Sequence, residues 1–410
     1  MADMKKIIII GCGAAGMMAA AAAAENDAGV LVLEKNNSPG KKVLITGGGR
    51  CNITNIDDAN AMMAKVLRNP RFLYSALNEF NSADTMHFFT KIGLKTKVEA
   101  GGRVFPVTEN AQDVVDVMMK YLRHLGVQFE FDCNVDKIVP RGTIFEITSD
   151  KKTFRSDAAI ITTGGLSAPH TGSDGGGFRL AKVLGHSITR LYPALVPLIA
   201  EESTAELMGL SIKANLKAFC DRKMVYSGCG DVMFTHYGLS GPVVLEASSY
   251  LAEKLHLKPE FLLDFMPGLT EKKADLLLLD IFYRNANKNI KNALEEILPD
   301  RLVTVLLRIS GVKPDEKVRN IEKATRGLIC RNIKGFALKV TGSAGFGAAV
   351  VTRGGVDVKQ INPSTMESKI VAGLYFAGEI LDVDGLTGGY NLQIAFSTGR
   401  LSGKSAAKMM

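Results

Sequence analysis

The hydrophobic pattern at the start of the chain predicts a strand, a tight turn, a helix and a second strand. An apolar run follows Lys5 and Lys6, and after a glycine-rich turn a long alanine-rich run continues through Ala24. A second short apolar run ends in Glu34. Two short apolar runs separated by a helix-length segment are typical of a βαβ unit with parallel strands.

The pattern changes further along the chain. Helical and strand periodicities alternate up to about residue 162, whereas from about 189 to 267 short β-like runs are broken by prolines and glycines. Residues 270 to about 332 carry apolar positions at helical spacing, and strand-like runs then return. The sequence therefore predicts a discontinuous α/β domain over 1–188 and 354–410, a β-rich substrate domain over 189–267 and 333–353, and a helical insert over 268–332.

The turn after the first strand has the spacing G-x-G-x-x-G. Gly11 permits the tight turn, Gly13 lets the backbone approach a pyrophosphate, and Gly16 allows the helix to pack closely on the strand. The N-terminus of that helix supplies N–H groups and a positive dipole. Glu34 ends the next strand, where an acid accepts hydrogen bonds from a ribose hydroxyl. This segment predicts a dinucleotide site.

A second glycine-rich segment opens near the other end of the chain, at Gly373–Glu379. If both ends hold one long ligand, that ligand is most simply FAD, and everything between them is inserted into one binding domain. A secretory signal peptide is the alternative interpretation of the N-terminal apolar run, because Lys5 and Lys6 precede it. The glycines within the run and the acid that ends the next strand favour the globular interpretation.

The composition is typical of a cytoplasmic enzyme. Of the 410 residues, 46% are apolar, and beyond the N-terminal run no apolar stretch is long enough to cross a membrane. Six cysteines without a C-x-x-C spacing indicate neither disulfides nor a metal site. The basic residues behind the net charge of +8 are dispersed. We therefore expect a small-molecule substrate and no nucleic-acid or membrane partner, and the oligomeric state stays open.

Five motifs give the chain a family resemblance: Gly47–Asn52, Gly102–Pro106, Phe234–Pro242, Thr365–Lys369 and Phe376–Gly399. Together they resemble the bacterial flavoprotein family that includes aminoacetone oxidase and the bile-acid-pathway flavin reductase. The resemblance covers essentially the whole chain. It implies noncovalently bound FAD and an α/β architecture in three parts: a discontinuous Rossmann-like FAD-binding domain, an inserted β-barrel-like domain and a small helical domain.

The glycine-rich segments and the resemblance together predict the residues that bind FAD. The run 385–394 places unpaired amides before the final helix, where they would face N1 and O2 of the flavin and stabilise its reduced, anionic form. The predicted cofactor-binding residues are Gly11, Gly13, Ala14, Ala15, Gly16, Glu34, Lys35, Lys42, Thr46, Gly48, Gly49, Arg50, Cys51, Asn52, Val135, Thr163, Gly164, Gly165, Gly378, Glu379, Asp382, Gly388, Gly389, Asn391, Leu392 and Gln393.

Four residues are candidates for catalysis, each with a structural alternative. Histidine titrates near neutral pH, so His236 could donate a proton, or it could cap its turn. Arg50 and Arg353 flank glycine loops and could bind an anionic substrate or polarise a carbonyl, or could hold an FAD phosphate. Tyr390 could stack on the flavin or donate a proton, or pack in the core.

We therefore expect an FAD-dependent oxidoreductase that reduces an activated carbon–carbon double bond with hydride from flavin N5. One alternative is a flavin amine oxidase that releases hydrogen peroxide. Another is a flavin-binding accessory or regulatory protein without turnover of its own. If NADH or NADPH supplies the electrons, it binds transiently, because the segment 341–347 lacks the spacing of a second nucleotide fingerprint.

Overall fold

The computed structural model describes residues 4–408, which form two compact units. The first unit covers the described residues up to Ala194 and from Phe346 onward, and the second covers Leu195–Gly345. The corresponding predicted junctions lie after residue 188 and before residue 354. The division into three separate domains stays a prediction.

Both units contain strands and helices. The strands are β1 (Lys6–Ile10), β2 (Gly29–Leu33), β3 (Thr54–Asn55), β4 (Val66–Arg68), β5 (Thr96–Val98), β6 (Arg103–Pro106), β7 (Gln128–Glu130), β8 (Val135–Arg141), β9 (Ile144–Ser149), β10 (Thr153–Ser156), β11 (Ala158–Ile161), β12 (Tyr192–Ala194), β13 (Leu198–Ala200), β14 (Ser211–Cys220), β15 (Lys223–Phe234), β16 (Gly238–Ser240), β17 (Glu260–Asp264), β18 (Phe336–Ser343), β19 (Val351–Arg353), β20 (Leu374–Phe376) and β21 (Asp384–Gly385). The helices are α1 (Ala14–Ala24), α2 (Lys41–Ile45), α3 (Ala59–Ala64), α4 (Tyr74–Glu79), α5 (Ser82–Lys91), α6 (Ala111–His124), α7 (Gly176–Val183), α8 (Pro242–Leu251), α9 (Glu271–Arg284), α10 (Ile290–Leu294), α11 (Asp300–Ile309), α12 (Lys323–Lys334) and α13 (Tyr390–Lys408). Among residues 4–408, no helix is both long enough and apolar enough to cross a membrane.

The first unit is built on a five-stranded parallel sheet with the strand order β20-β11-β1-β2-β7. Residues 7–10 of β1 and all four residues of β11 are buried, as expected for parallel strands that are covered on both faces. β20 comes from the C-terminal segment and pairs with β11. Both ends of the chain therefore contribute to one sheet, which confirms the predicted discontinuous Rossmann-like domain.

Helix α1 is buried almost throughout, which explains its alanine-rich composition. Residues 14–23 are all buried, and α13 packs against them. A Cβ atom at Gly399 would lie 2.4 Å from the carbonyl oxygen of Ala15, and one at Gly403 would lie 2.1 Å from that of Ala19. Small residues on both helices therefore let the two backbones approach closely. The alanine-rich run is a core helix of the first unit.

The second unit combines a closed barrel with the helices α9 to α12. The barrel has six strands in the order β13-β16-β15-β14-β17-β18, which confirms the predicted β-barrel-like and helical regions. The barrel residues Phe261 and Leu263 belong to the same hydrophobic core as the helix residues Leu278 and Leu306, and all four are fully buried. The helices therefore complete the core of the barrel.

Candidate cofactor site

The first unit contains a cavity at the carboxyl ends of its parallel strands. β1 has β2 on one side and β11 on the other, so the chain changes direction across the sheet at this point. In open α/β sheets, ligands bind at such a switch point. The cavity is lined by the turn after β1, the end of β2, the start of α2, the segment after β11, and the starts of α7 and α13.

The three fingerprint glycines are required for different physical reasons. Gly11 has φ +104°, and a Cβ atom at Gly16 would lie 1.9 Å from the carbonyl oxygen of Gly11, so the fold itself requires both. Gly13 has φ −85°, and no atom lies within 4 Å of a Cβ built there. No contact within the described protein explains this glycine. It lines the cavity, so the open space beside it fits the close approach of a pyrophosphate.

Glu34 lies in the wall of the cavity with its carboxylate already oriented. The side chain is 7% exposed and accepts hydrogen bonds from the backbone N–H of Cys12 at 2.7 Å and of Asn36 at 2.9 Å. The Asn36 side chain donates a further bond at 2.7 Å. These donors fix the carboxylate at the end of β2, where an adenosine ribose is held in this fold. The geometry fits the role predicted for Glu34.

A polar network joins Lys42 and Glu379 from opposite ends of the chain. The Lys42 ammonium lies 2.5 Å from the Glu379 carboxylate and 2.7 Å from Ser167 Oγ. Glu379 also accepts bonds from Ser167 Oγ at 2.6 Å and from the Thr352 amide at 2.9 Å. Burial alone would raise the pKa of Glu379, but Lys42 and these donors hold it below its ordinary value. The carboxylate therefore stays ionised in the cavity wall.

One polar atom in the cavity wall has no protein partner. Thr163 Oγ1 is buried and makes no hydrogen bond within the described residues, and Thr163 lines the cavity. A buried hydroxyl without a partner is rare because desolvation costs free energy. Asn52 Oδ1 is likewise buried without a partner, but Asn52 does not line this cavity.

The N-terminus of α13 forms part of the cavity wall. Asn391 and Leu392 line it, and the first amides of a helix have no intrahelical acceptor. The Asn391 side chain bonds the backbone of Gly385 through both its oxygen and its nitrogen and so holds the preceding loop. A Cβ atom at Gly389 would lie 2.4 Å from the carbonyl oxygen of Thr54, and φ there is +97°. Packing within the protein therefore explains Gly389, which we had expected to serve close approach of the flavin.

Two of the catalytic candidates have side chains engaged within the first unit. Arg353 is 6% exposed and makes a bidentate pair with the fully buried Asp384, with its closest contact at 2.8 Å. Burial raises the pKa of Asp384, although Arg353 opposes the shift. The Tyr390 hydroxyl donates to Asp57 at 2.8 Å, and the ring is buried. These contacts support the structural alternatives for both residues.

The glycine loop before β3 is held by a separate cluster. The Arg50 guanidinium lies over the Phe105 ring, 4.3 Å from its centroid, and pairs with Glu99 and Glu109. The neighbouring Cys51 is buried, and burial raises the pKa of its thiol to about 11. A thiol in this state is a poor nucleophile at neutral pH. The six cysteines, all within the described residues, are free thiols.

Two further predicted cofactor residues make contacts within the first unit, and one predicted catalytic residue lies on the second unit. Asp382 pairs with Arg68 at 2.5 Å, and Gln393 is fully buried, accepting from Thr54 Oγ1 at 2.6 Å. His236 is exposed in the turn between β15 and β16, with its ring edge-on to Tyr237.

About half of the predicted cofactor residues line one cavity. These are Gly11, Gly13, Ala14, Ala15, Glu34, Lys35, Lys42, Thr46, Val135, Thr163, Gly164, Gly378, Glu379, Asn391 and Leu392. The lining does not include Gly16, Gly48, Gly49, Arg50, Cys51, Asn52, Gly165, Asp382, Gly388, Gly389 or Gln393. The lining residues that were not predicted include Asn36, Asn134, residues 171–174, Gly176 and Gly177. The glycine run at 175–177 was the signal that could have indicated that segment.

Comparison with known proteins gives matches over the whole chain. A family model described as the HI0933-like protein Rossmann domain matches residues 5–405. A 3-dehydro-bile acid delta(4,6)-reductase from Clostridium scindens is 34% identical over 412 residues, covering 99% of this chain and 100% of the relative. A ribosomal RNA dihydrouridine synthase from Escherichia coli K12 is 32% identical over 401 residues, covering 95% of each. These matches confirm the family resemblance.

Solved structures share the fold. A 3-ketosteroid delta1-dehydrogenase from Sterolibacterium denitrificans matches with a TM-score of 0.52 over 99% of both chains, at 13% sequence identity. At this identity the likeness concerns the fold alone.

Proposed function

The chain belongs to the family of HI0933-like proteins with a Rossmann domain, and from this premise we propose that it uses FAD to reduce an activated carbon–carbon double bond of a small organic substrate. Membership of this family supports the assignment as an FAD-dependent oxidoreductase. The choice of reaction goes beyond the family. The observation that carries it is the match to a double-bond reductase over 99% of this chain.

The cavity of the first unit would hold the cofactor. The open space beside Gly13 accommodates a pyrophosphate at the N-terminus of α1, and Glu34 would accept the ribose hydroxyls. The first amides of α13, at Asn391 and Leu392 in the cavity wall, would supply further donors. Bound FAD would supply hydride at its N5 atom. The positive end of the α13 dipole would favour the negative charge of the reduced flavin.

The names of two relatives support reduction over amine oxidation. A delta(4,6)-reductase removes carbon–carbon double bonds, and a dihydrouridine synthase makes a nucleoside that has one double bond fewer than uridine. In both cases hydride adds to one carbon and a proton to its neighbour. The Tyr390 hydroxyl is bonded to Asp57, and the role of His236 as a proton donor stays a prediction.

A second candidate substrate is a uridine in RNA. The Escherichia coli relative named as a ribosomal RNA dihydrouridine synthase is 32% identical over 95% of this chain, and a net charge of +8 is compatible with a polyanionic substrate. Our expectation of no nucleic-acid partner therefore stays a prediction that the experiment below must test.

The test follows the flavin spectrum without oxygen. Protein reduced by light, NADH or NADPH is mixed with a 3-oxo-4,6-diene steroid or with ribosomal RNA that lacks dihydrouridine. Return of the oxidised flavin spectrum, with a saturated product found by mass spectrometry, supports reduction and identifies the substrate class. Bleaching of the oxidised flavin by a primary amine, followed by peroxide release in air, would contradict it and favour the oxidase. A flavin that neither oxidises a substrate nor is oxidised by one would favour an accessory role.

A further inference from the structure

A short segment crosses from the α7 side of the cavity to the end of β2. We call Thr171–Gly175 the strap. Thr171, Ser173 and Asp174 of the strap line the cavity, as do Lys35 and Asn36 that follow the predicted ribose acid. The two groups are more than 130 residues apart in sequence, so only the folded chain brings them together.

Two contacts hold the strap against the end of β2. The Asn36 side-chain amide donates to the Thr171 carbonyl oxygen at 3.1 Å, and Lys35 Nζ lies 2.8 Å from an Asp174 carboxylate oxygen. Between them, Gly172 packs so closely that a Cβ atom there would lie 2.6 Å from Asn36 Nδ2. The strap is thus fastened at two points to the residues directly after Glu34.

The backbone of the strap has the features of a hinged segment. Gly172 has φ +108° and Gly175 has φ +80°, so a left-handed glycine stands near each end. Lys35 and Asp174 are partly exposed, with side chains 28% and 50% accessible. An ion pair of this exposure is weak, and salt screens it. Opening the strap breaks the weak Lys35–Asp174 ion pair and the Asn36–Thr171 hydrogen bond that fasten it to the end of β2.

From these contacts we infer that the strap is a latch over the ribose end of the cavity, and that the Lys35–Asp174 pair controls how fast FAD enters and leaves. The inference rests on the assignment of the cavity to FAD. Asn36 also donates to Glu34 at 2.7 Å, so one side chain links the ribose acid to the latch. A ligand that binds at Glu34 would therefore lie next to the fastened segment.

The latch and simple charge attraction predict opposite effects for Asp174→Asn. FAD carries negative charge at its pyrophosphate, so removing a nearby carboxylate should slow release if only electrostatics matters. If Asp174 fastens the strap, the same change should speed both entry and release, by up to about fivefold for an exposed pair. The amide oxygen of the variant can still accept from the Gly176 N–H, which Asp174 bonds at 3.0 Å. The start of α7 is therefore preserved.

The experiment measures FAD entry and release in the full chain. Entry into apoprotein is followed by quenching of flavin fluorescence, and release is followed after mixing holoprotein with an excess FAD-binding scavenger. The variants are Asp174→Asn, Lys35→Gln and the double variant. Glu79→Gln, which loses the same charge from the ion pair with Lys404 in the same unit, is the control.

The inference predicts faster release in both single variants and no further gain in the double variant. Release from the parent should also accelerate with salt, whereas release from the variants should not. Unchanged or slower release in Asp174→Asn would overturn the latch, as would the same acceleration in Glu79→Gln. Protein that takes up no FAD would overturn both the latch and the cofactor site. Protein that binds FAD but reduces no substrate would overturn the proposed reaction alone.

Discussion

The Gly13→Ala substitution tests whether the fold or a ligand requires glycine at this position. A Cβ atom there has no neighbour within 4 Å, and φ is an ordinary −85°. Alanine is a poorer helix N-cap than glycine, which costs up to about 1 kcal/mol. Lower entropy of the unfolded chain offsets this by about 0.4–1 kcal/mol. The free energy of unfolding of the apoprotein should therefore change by less than about 1 kcal/mol.

FAD binding should respond strongly to the same substitution. The methyl group would occupy the space beside the predicted pyrophosphate and displace at least one charge-assisted hydrogen bond. Such a bond contributes about 1.5–3 kcal/mol, which corresponds to a Kd about 10- to 150-fold higher. Gly16→Ala is the contrasting variant, because its Cβ atom would lie 1.9 Å from the Gly11 oxygen. It should destabilise the apoprotein by more than about 2 kcal/mol.

The assay pairs guanidinium unfolding of apoprotein, followed by far-ultraviolet circular dichroism, with FAD titration by fluorescence quenching. Gly13→Ala that binds FAD as tightly as the parent would refute the placement of the pyrophosphate beside Gly13. A loss of apoprotein stability in Gly13→Ala as large as that in Gly16→Ala would show that packing, and not a ligand, requires both glycines.

Three further predictions concern Glu34, Gly389 and the cysteine thiols. Glu34→Gln should weaken FAD binding by about 1–2 kcal/mol, because a charge-assisted hydrogen bond becomes a neutral one. An unchanged Kd would place Glu34 outside the ribose site. Gly389→Val should lower apoprotein stability by more than about 2 kcal/mol, because its Cβ atom would lie 2.4 Å from the carbonyl oxygen of Thr54. A stable apoprotein that binds FAD weakly would instead show that the ligand requires this glycine. Thiol titration of native protein at pH 8 should modify Cys229 alone, because the other five cysteines are buried and the pKa of Cys51 is about 11; rapid modification of a second thiol would contradict this.

The sequence predicts the local parts of this fold well. Glycine spacing and apolar runs locate β1, α1 and β2, because a tight turn and buried parallel strands are encoded by neighbouring residues. The reason for the alanine content of α1 is not visible in the local sequence, because it is the close contact with Gly399 and Gly403 nearly 400 residues later. The helical periodicity of residues 270 to about 332 was also visible in the sequence. That its helices share the core of the barrel was not, because shared burial depends on tertiary packing.

The side-chain partners within the site could not be predicted, because they come from distant segments. Arg353 looked available for a substrate, but its partner Asp384 lies on another strand. Lys42 and Glu379 were both predicted to bind the cofactor, yet no pattern indicated that they pair with each other. The strap was missed for the same reason, since only the fold brings Asp174 to Lys35.

The FAD content of the purified protein tests the central claim most directly. The claim is that the cavity beside Gly13 and Glu34 holds noncovalent FAD. Heat denaturation of the protein, followed by chromatography of the supernatant, measures how much intact cofactor each chain releases. We predict a yellow protein that releases close to one FAD per chain, or that reaches this ratio after incubation with FAD. A colourless protein that takes up no added FAD would contradict the account.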